Sequence, residues 1–427
     1  MTESSLQGAR GKIFAWALFD FANTAFYVVV LTVGYPTYFR EIVVSRAPNA
    51  DFLWSVSFST SMLLVALVSP ILGAAADFGM GKKRFLGLFT ALCIISTAAL
   101  FFVGDSMVLA GMLLLILANV GFEAGLVFYD AFLPEITSMR SYGRVSGYGF
   151  AMGYVGSLVT LLVAFPLYQG GFEAANLLNV RFSFLVAAGF FLIFALPIFI
   201  FVPDPQKVVR ERVHVVRVGM RRVLATFRDF SRYRNVGRFL LSYFVYIDGI
   251  NTIIVFSALF AQETLHFDLA EIVVFFAMVQ TAAIIGAAVF GIVADHLGQK
   301  RTLSITLILW VVVVCVAYVT TAKWLFYLIG LVAGLALGSS QSTSRSLMSH
   351  LTPAEKKTEF FGFFSFFGKA SAILGPLVFG IVSSEVNQRV AILSVAIFLL
   401  LGLGLLQRVR EPGGAETARP DLQSGTT

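Results

Sequence analysis

The sequence predicts an all-α integral membrane protein with twelve transmembrane helices in two pseudo-symmetric six-helix bundles and both termini in the cytoplasm. Three observations predict this fold class. Of the 427 residues, 58% are hydrophobic and 13% are charged, whereas soluble domains are about 45–50% apolar and about 25% charged. Twelve apolar segments are long enough to cross a bilayer, and motifs of the first half recur in the same order in the second.

Each predicted helix rests on a segment of sufficient length, because a helix needs about 20 apolar residues to cross the hydrocarbon core. The first segment is too long for a signal-peptide core and no small-residue cleavage site follows it, so it is counted as the first helix. The twelve segments are 13–39, 52–76, 84–103, 107–132, 144–168, 180–201, 238–262, 271–294, 302–320, 324–349, 358–383 and 390–407.

Lys and Arg are distributed unevenly between the loops. With the amino terminus inside, 24 of the 31 fall in inside segments and five in outside loops, which is the bias of cytoplasmic loops. The net charge of +7 therefore reflects topology, and no nucleic-acid partner is expected. The predicted units are a cytoplasmic N-terminus 1–12, a bundle 13–201, a basic linker 202–237, a bundle 238–407 and a disordered tail 408–427.

The linker carries apolar residues at steps of three or four, with arginines in most of the gaps. This pattern predicts a basic amphipathic helix, which is expected to lie on the inner leaflet of the membrane. Its apolar positions are Val209, Val213, Val216, Met220, Val223, Phe227 and Phe230.

An internal repeat predicts the two-bundle architecture. DFANT at 20–24 matches DGINT at 248–252, and GAAAD at 73–77 matches GIVAD at 291–295, each followed by a basic turn. Two further matches, a proline after the fourth and tenth helices and a glycine pair in the fifth and eleventh, keep the same order. Four matches in one order favour two six-helix halves joined by the linker.

Several stretches resemble a known transporter family. The two loop motifs resemble the major facilitator superfamily signature GxxxD(R/K)xG(R/K)(R/K), although Phe78 and His296 stand where a basic residue is usual. The resemblance implies a secondary transporter whose helices 1, 4, 7 and 10 line a central cavity. The stretches similar to its vacuolar amino-acid effluxer-like branch are WALFDFANTAF (16–26), GFEAGLVFYDAFLPEI (121–136), SQSTSRSL (340–347) and EFFGFFSFFGKASAILGPLVFG (359–380).

Charged residues inside predicted spans mark the candidate site, because such a charge costs between about 2.5 and more than about 10 kcal/mol. Helical spacing places polar residues on one face of each of the four cavity helices. The candidate substrate and proton site comprises Asp20, Asn23, Asn119, Glu123, Asp248, Asn251, Gln341, Arg345 and Lys369.

The expected roles follow from charge. Arg345 would hold a substrate carboxylate in its fork, and Glu123 or Asp20 would face an ammonium group or carry a proton. Lys369 would pair with Asp248 or contact the substrate. An alternative is equally natural for the two repeated aspartates, which would each bond their own asparagine or a neighbouring helix, and for Lys369, which would lock helix 11 in an ion pair.

A second group of residues is predicted to form conformational gates. A carboxylate at a helix end beside a basic turn can form or break ion pairs as the two halves rock. Asp130 is placed near the cytoplasmic mouth. The full set is Asp77, Lys83, Arg84, Asp130, Asp295, Lys300 and Arg301.

The remaining polar residues exclude other classes. Two cysteines in apolar stretches and four histidines at loops or span ends form no metal set, and no nucleophile–base set is visible, so we expect neither an enzyme nor a cofactor.

The favoured function is proton-coupled transport of a small polar or zwitterionic metabolite, an amino acid by resemblance. Alternatives are a sugar, nucleoside or amphiphile carrier, or a non-transporting receptor. A monomer in a bacterial inner membrane is expected.

Overall fold

A computed structural model describes residues 3–204, 215–228, 230–371 and 374–411, and these residues form helices and loops without a strand. The prediction of an all-α chain is confirmed for this part. The first half of the expected linker helix, with Val209 and Val213, and the tail beyond residue 411 lie outside the described residues.

The N-terminal half contains six long helices and two short ones. They are α1 (Glu3–Phe26), α2 (Gly34–Tyr38), α3 (Ala50–Ala75), α4 (Lys82–Ala99), α5 (Val108–Asp130), α6 (Leu133–Ile136), α7 (Tyr142–Tyr168) and α8 (Leu177–Phe201).

The linker helix and the C-terminal half follow. They are α9 (Val215–Arg228), α10 (Arg234–Leu265), α11 (Leu269–Leu297), α12 (Gln299–Val319), α13 (Lys323–Leu351), α14 (Lys357–Ser371), α15 (Leu374–Glu385) and α16 (Gln388–Gln407). Within the described residues, eleven helical segments are long and apolar enough to cross a membrane. The predicted span 358–383 is represented by α14 and α15, on either side of residues 372–373.

Both ends of the chain depart from the predicted boundaries. Helix α1 begins at Glu3 and not near residue 13, and π-helical turns at Tyr27–Val33 and Phe39–Val43 extend the first span to Val43. At the other end, the Glu411 carboxylate accepts the backbone N–H groups of Gln299 and Lys300 at 2.7 and 3.1 Å. The first residues of the predicted tail are therefore ordered, because an anion is favourable at a helix N-terminus.

The repeated loop motif gives the same turn in both halves. Gly81 precedes α4 with φ of 80° and Gly298 precedes α12 with φ of 94°. Residues that carry a Cβ rarely adopt a φ in this range, so both turns require glycine. We call the side of the molecule that carries these two turns and their lysines and arginines the basic side.

Glycines bring the two halves into contact near the basic side. A Cβ on Gly147 of α7 would lie 2.3 Å from the Ala287 carbonyl oxygen of α11, and a Cβ on Gly73 of α3 would lie 2.3 Å from the Thr358 carbonyl oxygen of α14. Only glycine permits such close backbone approach. The structure is therefore a conformation that is closed at the basic side.

Candidate functional site

Arg345 of α13 is the centre of a buried charge network that joins the two halves. Its Nη1 lies 3.2 Å from Asp20 Oδ2 of α1 and 3.0 Å from Asp130 Oδ1 of α5. Its Nε and Nη2 donate to the hydroxyl and the carbonyl of Ser146 on α7, at 3.0 and 2.8 Å. The Arg345 side chain is 2% exposed. One residue of the C-terminal half thus binds three helices of the N-terminal half.

Aromatic rings and a glycine enclose the Arg345 guanidinium. Its Cζ lies 4.0 Å from the ring centroid of Phe150, 4.7 Å from that of Trp16 and 5.6 Å from that of Tyr129, which is the range of cation–π attraction. A Cβ on Gly149 would lie 2.6 Å from Arg345 Nη2. No pattern in the sequence predicted this enclosure, because Phe150, Trp16 and Tyr129 lie on helices that meet only in the packed structure.

The network changes the expected role of Arg345. In this conformation its nitrogens already donate to protein acceptors, so its fork is not presented to a substrate carboxylate. Asp20 is also fully bonded, since Oδ2 accepts from the Tyr129 hydroxyl at 2.8 Å and Oδ1 from Asn23 Nδ2 at 3.3 Å. Asp130, expected near the mouth, belongs to the same network. Here these residues tie the halves together.

A second ion pair joins the halves in a more accessible position. Nζ of Lys369 on α14 lies 2.5 Å from Oε2 of Glu123 on α5. The Lys369 side chain is 26% exposed and that of Glu123 is 7% exposed. The expected pairing of Lys369 with Asp248 is wrong for this conformation, because Glu123 on the facing helix takes that place. Opposite charges thus meet at a place where protein covers only part of the lysine side chain.

Asp248 has a different environment. Its Oδ1 accepts the backbone N–H of Gly375 on α15 at 2.8 Å, and the Thr252 hydroxyl donates to its backbone carbonyl at 2.8 Å. Asn251 is half-buried on the same helix. Asp248 therefore bonds a neighbouring helix, whereas Asp20 bonds its own asparagine. These are the two structural contacts that the sequence offered as an alternative to substrate or proton binding.

Two amide side chains of the candidate set separate in the structure. Asn119 donates to the Ser61 hydroxyl of α3 at 2.7 Å and is fully buried within the N-terminal half. Asn119 lies one helical turn before Glu123 on α5, and its role in the substrate and proton site stays a prediction. Gln341 accepts from the Tyr154 hydroxyl of α7 at 2.8 Å, and this bond crosses between the halves.

The two repeated loop aspartates make equivalent contacts across the halves. Asp77, after α3, accepts the backbone N–H of Glu359 on α14 at 2.8 Å. Asp295 of α11 accepts the N–H groups of Gly143 and Arg144 at 2.7 and 3.1 Å, and Arg144 Nε at 2.8 Å. Each carboxylate sits at the first turn of a helix, where N–H groups lack intrahelical partners. Their gating role stays a prediction.

The predicted basic gating residues bind within their own halves or are exposed. Lys83 Nζ donates to the Val202 carbonyl at 2.6 Å, and Lys300 Nζ donates to the Gln407 carbonyl at 2.9 Å. Arg84 and Arg301 are exposed. These contacts do not connect the two halves.

Lys82, in the basic turn at the start of α4, was not among the predicted site residues. Lys82 is fully buried, with Nζ 2.5 Å from Glu135 Oε1 and 3.1 Å from the Ala131 carbonyl. Lys357 of α14 approaches the same Glu135 oxygen at 3.8 Å. The run Lys82-Lys83-Arg84 gave no signal for this, since neighbouring positions in a basic turn are indistinguishable until the helices pack.

The linker helix packs on protein at the basic side. A Cβ on Gly219 would lie 2.1 Å from the Ile71 carbonyl of α3, and Val223 is buried. The Thr226 hydroxyl donates to the buried Glu359 carboxylate and accepts from Lys356. In the described part of this helix Gly219 and Val223 are covered by protein whereas Met220 is exposed, and the expected place of the helix on the inner leaflet stays a prediction.

Replacing Thr226 by Val is expected to lower the free energy of unfolding by about 1–3 kcal/mol, because the fully buried Glu359 loses a hydrogen-bond donor. The measurement is thermal unfolding of the purified protein in detergent. Thr226→Ser is the matched control, since it keeps the hydroxyl and is expected to unfold near the wild-type temperature. Equal loss in both variants would contradict the hydrogen-bond explanation.

Comparisons with known proteins agree with this architecture. Residues 49–419 match the family described as vacuole effluxer Atg22 like. The chain is 28% identical to an uncharacterised MFS-type transporter, YxiO, of Bacillus subtilis, over 95% of this chain and 96% of the relative. It is 24% identical to autophagy-related protein 22 of Yarrowia lipolytica, over 85% and 76% respectively. The solved structure of the human organic anion transporter MFSD10 superposes with a TM-score of 0.74 at 15% identity, covering 93% of this chain and 99% of that one.

Proposed function

Since this chain belongs to the Atg22-like vacuole effluxer family of major facilitator transporters, we propose that it carries a small zwitterionic metabolite, an amino acid in the first instance, by alternating access. The observation that carries the proposal is the Glu123–Lys369 pair. It places a carboxylate and an ammonium group 2.5 Å apart between the two halves, with Lys369 partly exposed.

An ion pair of this kind is complementary to a zwitterion. The substrate carboxylate would replace Glu123 beside Lys369, and its ammonium group would then face Glu123. Each buried charge keeps an opposite charge throughout, so the exchange avoids the cost of an unpaired ion in a low-dielectric site. Lys369 therefore takes the carboxylate-binding role first expected of Arg345.

The Arg345 network and the two loop aspartates would close one end of the path. All of them connect the halves in the closed conformation described above. The basic side is assigned to the cytoplasm because Lys and Arg favour cytoplasmic loops, so this conformation would admit substrate from outside. Separation of the halves at the basic side would break these bonds and open the site to the cytoplasm.

The driving force is proposed to be the proton gradient, and the membrane a bacterial inner membrane. The first experiment is solute counterflow in proteoliposomes, with a pooled amino-acid panel against a pooled sugar and nucleoside panel, with and without a pH gradient. Saturable exchange of the amino-acid pool alone is the expected result. Exchange of the other pool alone would contradict the zwitterion site, and silence in both would favour an amphiphile carrier or a receptor.

Replacing Lys369 by Gln is expected to raise the KM for amino-acid exchange at least about tenfold, since losing one charged contact costs about 1.5–3 kcal/mol. The measurement is the initial rate of counterflow against substrate concentration. Arg46→Gln is the matched control. It also removes the cation of a cation–carboxylate pair, Arg46–Glu41 at 2.5 Å, but Arg46 is 79% exposed and outside the proposed site. An unchanged KM in the Lys369 variant would remove this residue from the binding site.

A further inference from the structure

The repeat supplies an internal comparison between two aspartates. Asp20 and Asp248 occupy the first position of the same D-x-x-N-T motif in α1 and α10. Asp20 lies 3.2 Å from Arg345 and accepts two further side-chain hydrogen bonds, from Tyr129 and Asn23. Within the described part of the chain, the Asp248 carboxylate has one hydrogen bond, from a neutral backbone group. The same motif therefore holds one carboxylate with a positive counter-charge, Asp20, and one without, Asp248.

Asp248 is buried with half of its carboxylate unsatisfied. The residue is 1% exposed. Its Oδ1 accepts from Gly375 at 2.8 Å, while Oδ2 has no hydrogen-bond partner among the described residues. A buried ionised carboxylate without a partner is costly, and such a group becomes neutral instead.

Among the residues that the structure describes, the elements packed against α10 bring no free counter-charge to Asp248. Lys369 on α14 is paired with Glu123, and Arg345 on α13 is paired with Asp20 and Asp130. The other charged or titratable residues of the neighbouring helices lie at or near the helix ends: Glu271, Asp295 and His296 on α11, Lys323 and His350 on α13, Lys357 and Glu359 on α14, Glu385 on α15 and Arg389 on α16. On α10 itself, Tyr246 bonds Ser344 of α13.

The space around Asp248 suits a proton and not a metal cation. A Cβ on Gly375 would lie 2.0 Å from Thr252 Oγ1 and 2.8 Å from Asp248 Oδ1, so α15 is pressed against α10 at this point. A hard cation requires a shell of several oxygen ligands. The Thr252 hydroxyl is committed to the Asp248 carbonyl. A hydrogen atom on Oδ2 needs no additional ligand shell.

We propose that Asp248 is the residue that binds the coupling proton, separately from the Glu123–Lys369 substrate site. The Oδ2–H bond forms with a proton taken from water on one side of the membrane. It breaks, returning the proton to water on the other side, when movement of α15 relative to α10 admits solvent. The inference rests on the proposed transport function and assigns its coupling site.

The test compares Asp248→Asn with the wild type and with Glu263→Gln, an exposed carboxylate at the far end of the same helix. Asparagine keeps an acceptor for Gly375 and cannot be protonated. Counterflow at equal pH is expected to persist, while accumulation against a gradient driven by a pH difference is lost. Accumulation that persists in Asp248→Asn, or that follows a sodium gradient in place of a pH difference, would overturn the assignment.

A second measurement does not depend on transport. Infrared difference spectra of the purified protein between pH steps are expected to show the C=O stretch of a buried carboxylic acid, absent in Asp248→Asn and retained in Glu263→Gln. A band unaffected by Asp248→Asn overturns the proposal. Wild-type protein that exchanges neither pool overturns the proposed function, and the infrared spectra still decide the protonation of Asp248.

Discussion

Replacing Arg345 by Met is expected to shift the protein out of the closed conformation by about 3–5 kcal/mol, the cost of removing one partner from a buried ion pair. Asp20 and Asp130 would be left buried without a counter-charge, and Ser146 would lose two donors. Opening at the basic side would let water reach both carboxylates. Since 1.4 kcal/mol is a factor of ten, even the lower figure changes the population ratio by about 100-fold.

The measurement is the distance between spin labels at Ser138 and Ala354, which are exposed on the basic side in opposite halves. Cys315 is exposed and is replaced by Ser, while Cys93 is buried. The distance is expected to lengthen in Arg345→Met and to stay short in Arg301→Met, an exposed control. Adding Asp20→Asn and Asp130→Asn should restore much of the short distance, because neutral groups need no counter-charge. No lengthening in Arg345→Met would show that the network does not hold the halves together.

Replacing Gly147 by Ala is expected to disfavour the closed conformation by about 1–3 kcal/mol through overpacking. The new Cβ would lie 2.3 Å from the Ala287 carbonyl oxygen of the opposite half, and backbone cannot rotate away as a side chain can. The same spin-label pair is expected to report a longer distance in this variant, with little change in the unfolding temperature.

Two other glycines of α7 provide matched controls for Gly147. A Cβ on Gly156 would lie 2.3 Å from the Phe21 carbonyl of α1, within the same half, so Gly156→Ala should lower the unfolding temperature without lengthening the distance. A Cβ on Gly153 would find its nearest neighbour at 3.7 Å, an ordinary contact. Gly153→Ala should change neither quantity. A distance that lengthens equally in all three variants would contradict the interface explanation.

The agreement between sequence and structure is strongest where a property belongs to one segment. The all-α class is confirmed for the described residues, and membership of the Atg22-like family is confirmed by the match over residues 49–419. Apolar length, helical period and the repeated turn glycines Gly81 and Gly298 depend on neighbouring residues alone. The linker helix shows the boundary of this reasoning, because its apolar stripe predicted a place on the inner leaflet and did not indicate that Gly219 packs against α3.

By itself the sequence determined that the protein is a helical membrane protein of this family and which few charged residues lie inside its spans. The tertiary structure alone decided their partners: Lys369 with Glu123 and not Asp248, and Arg345 with Asp20, Asp130 and Ser146. The physical reason is that helical period fixes the face on which a side chain lies. Ion pairs require atoms within about 4 Å, and that distance is set by how helices distant in sequence pack against each other.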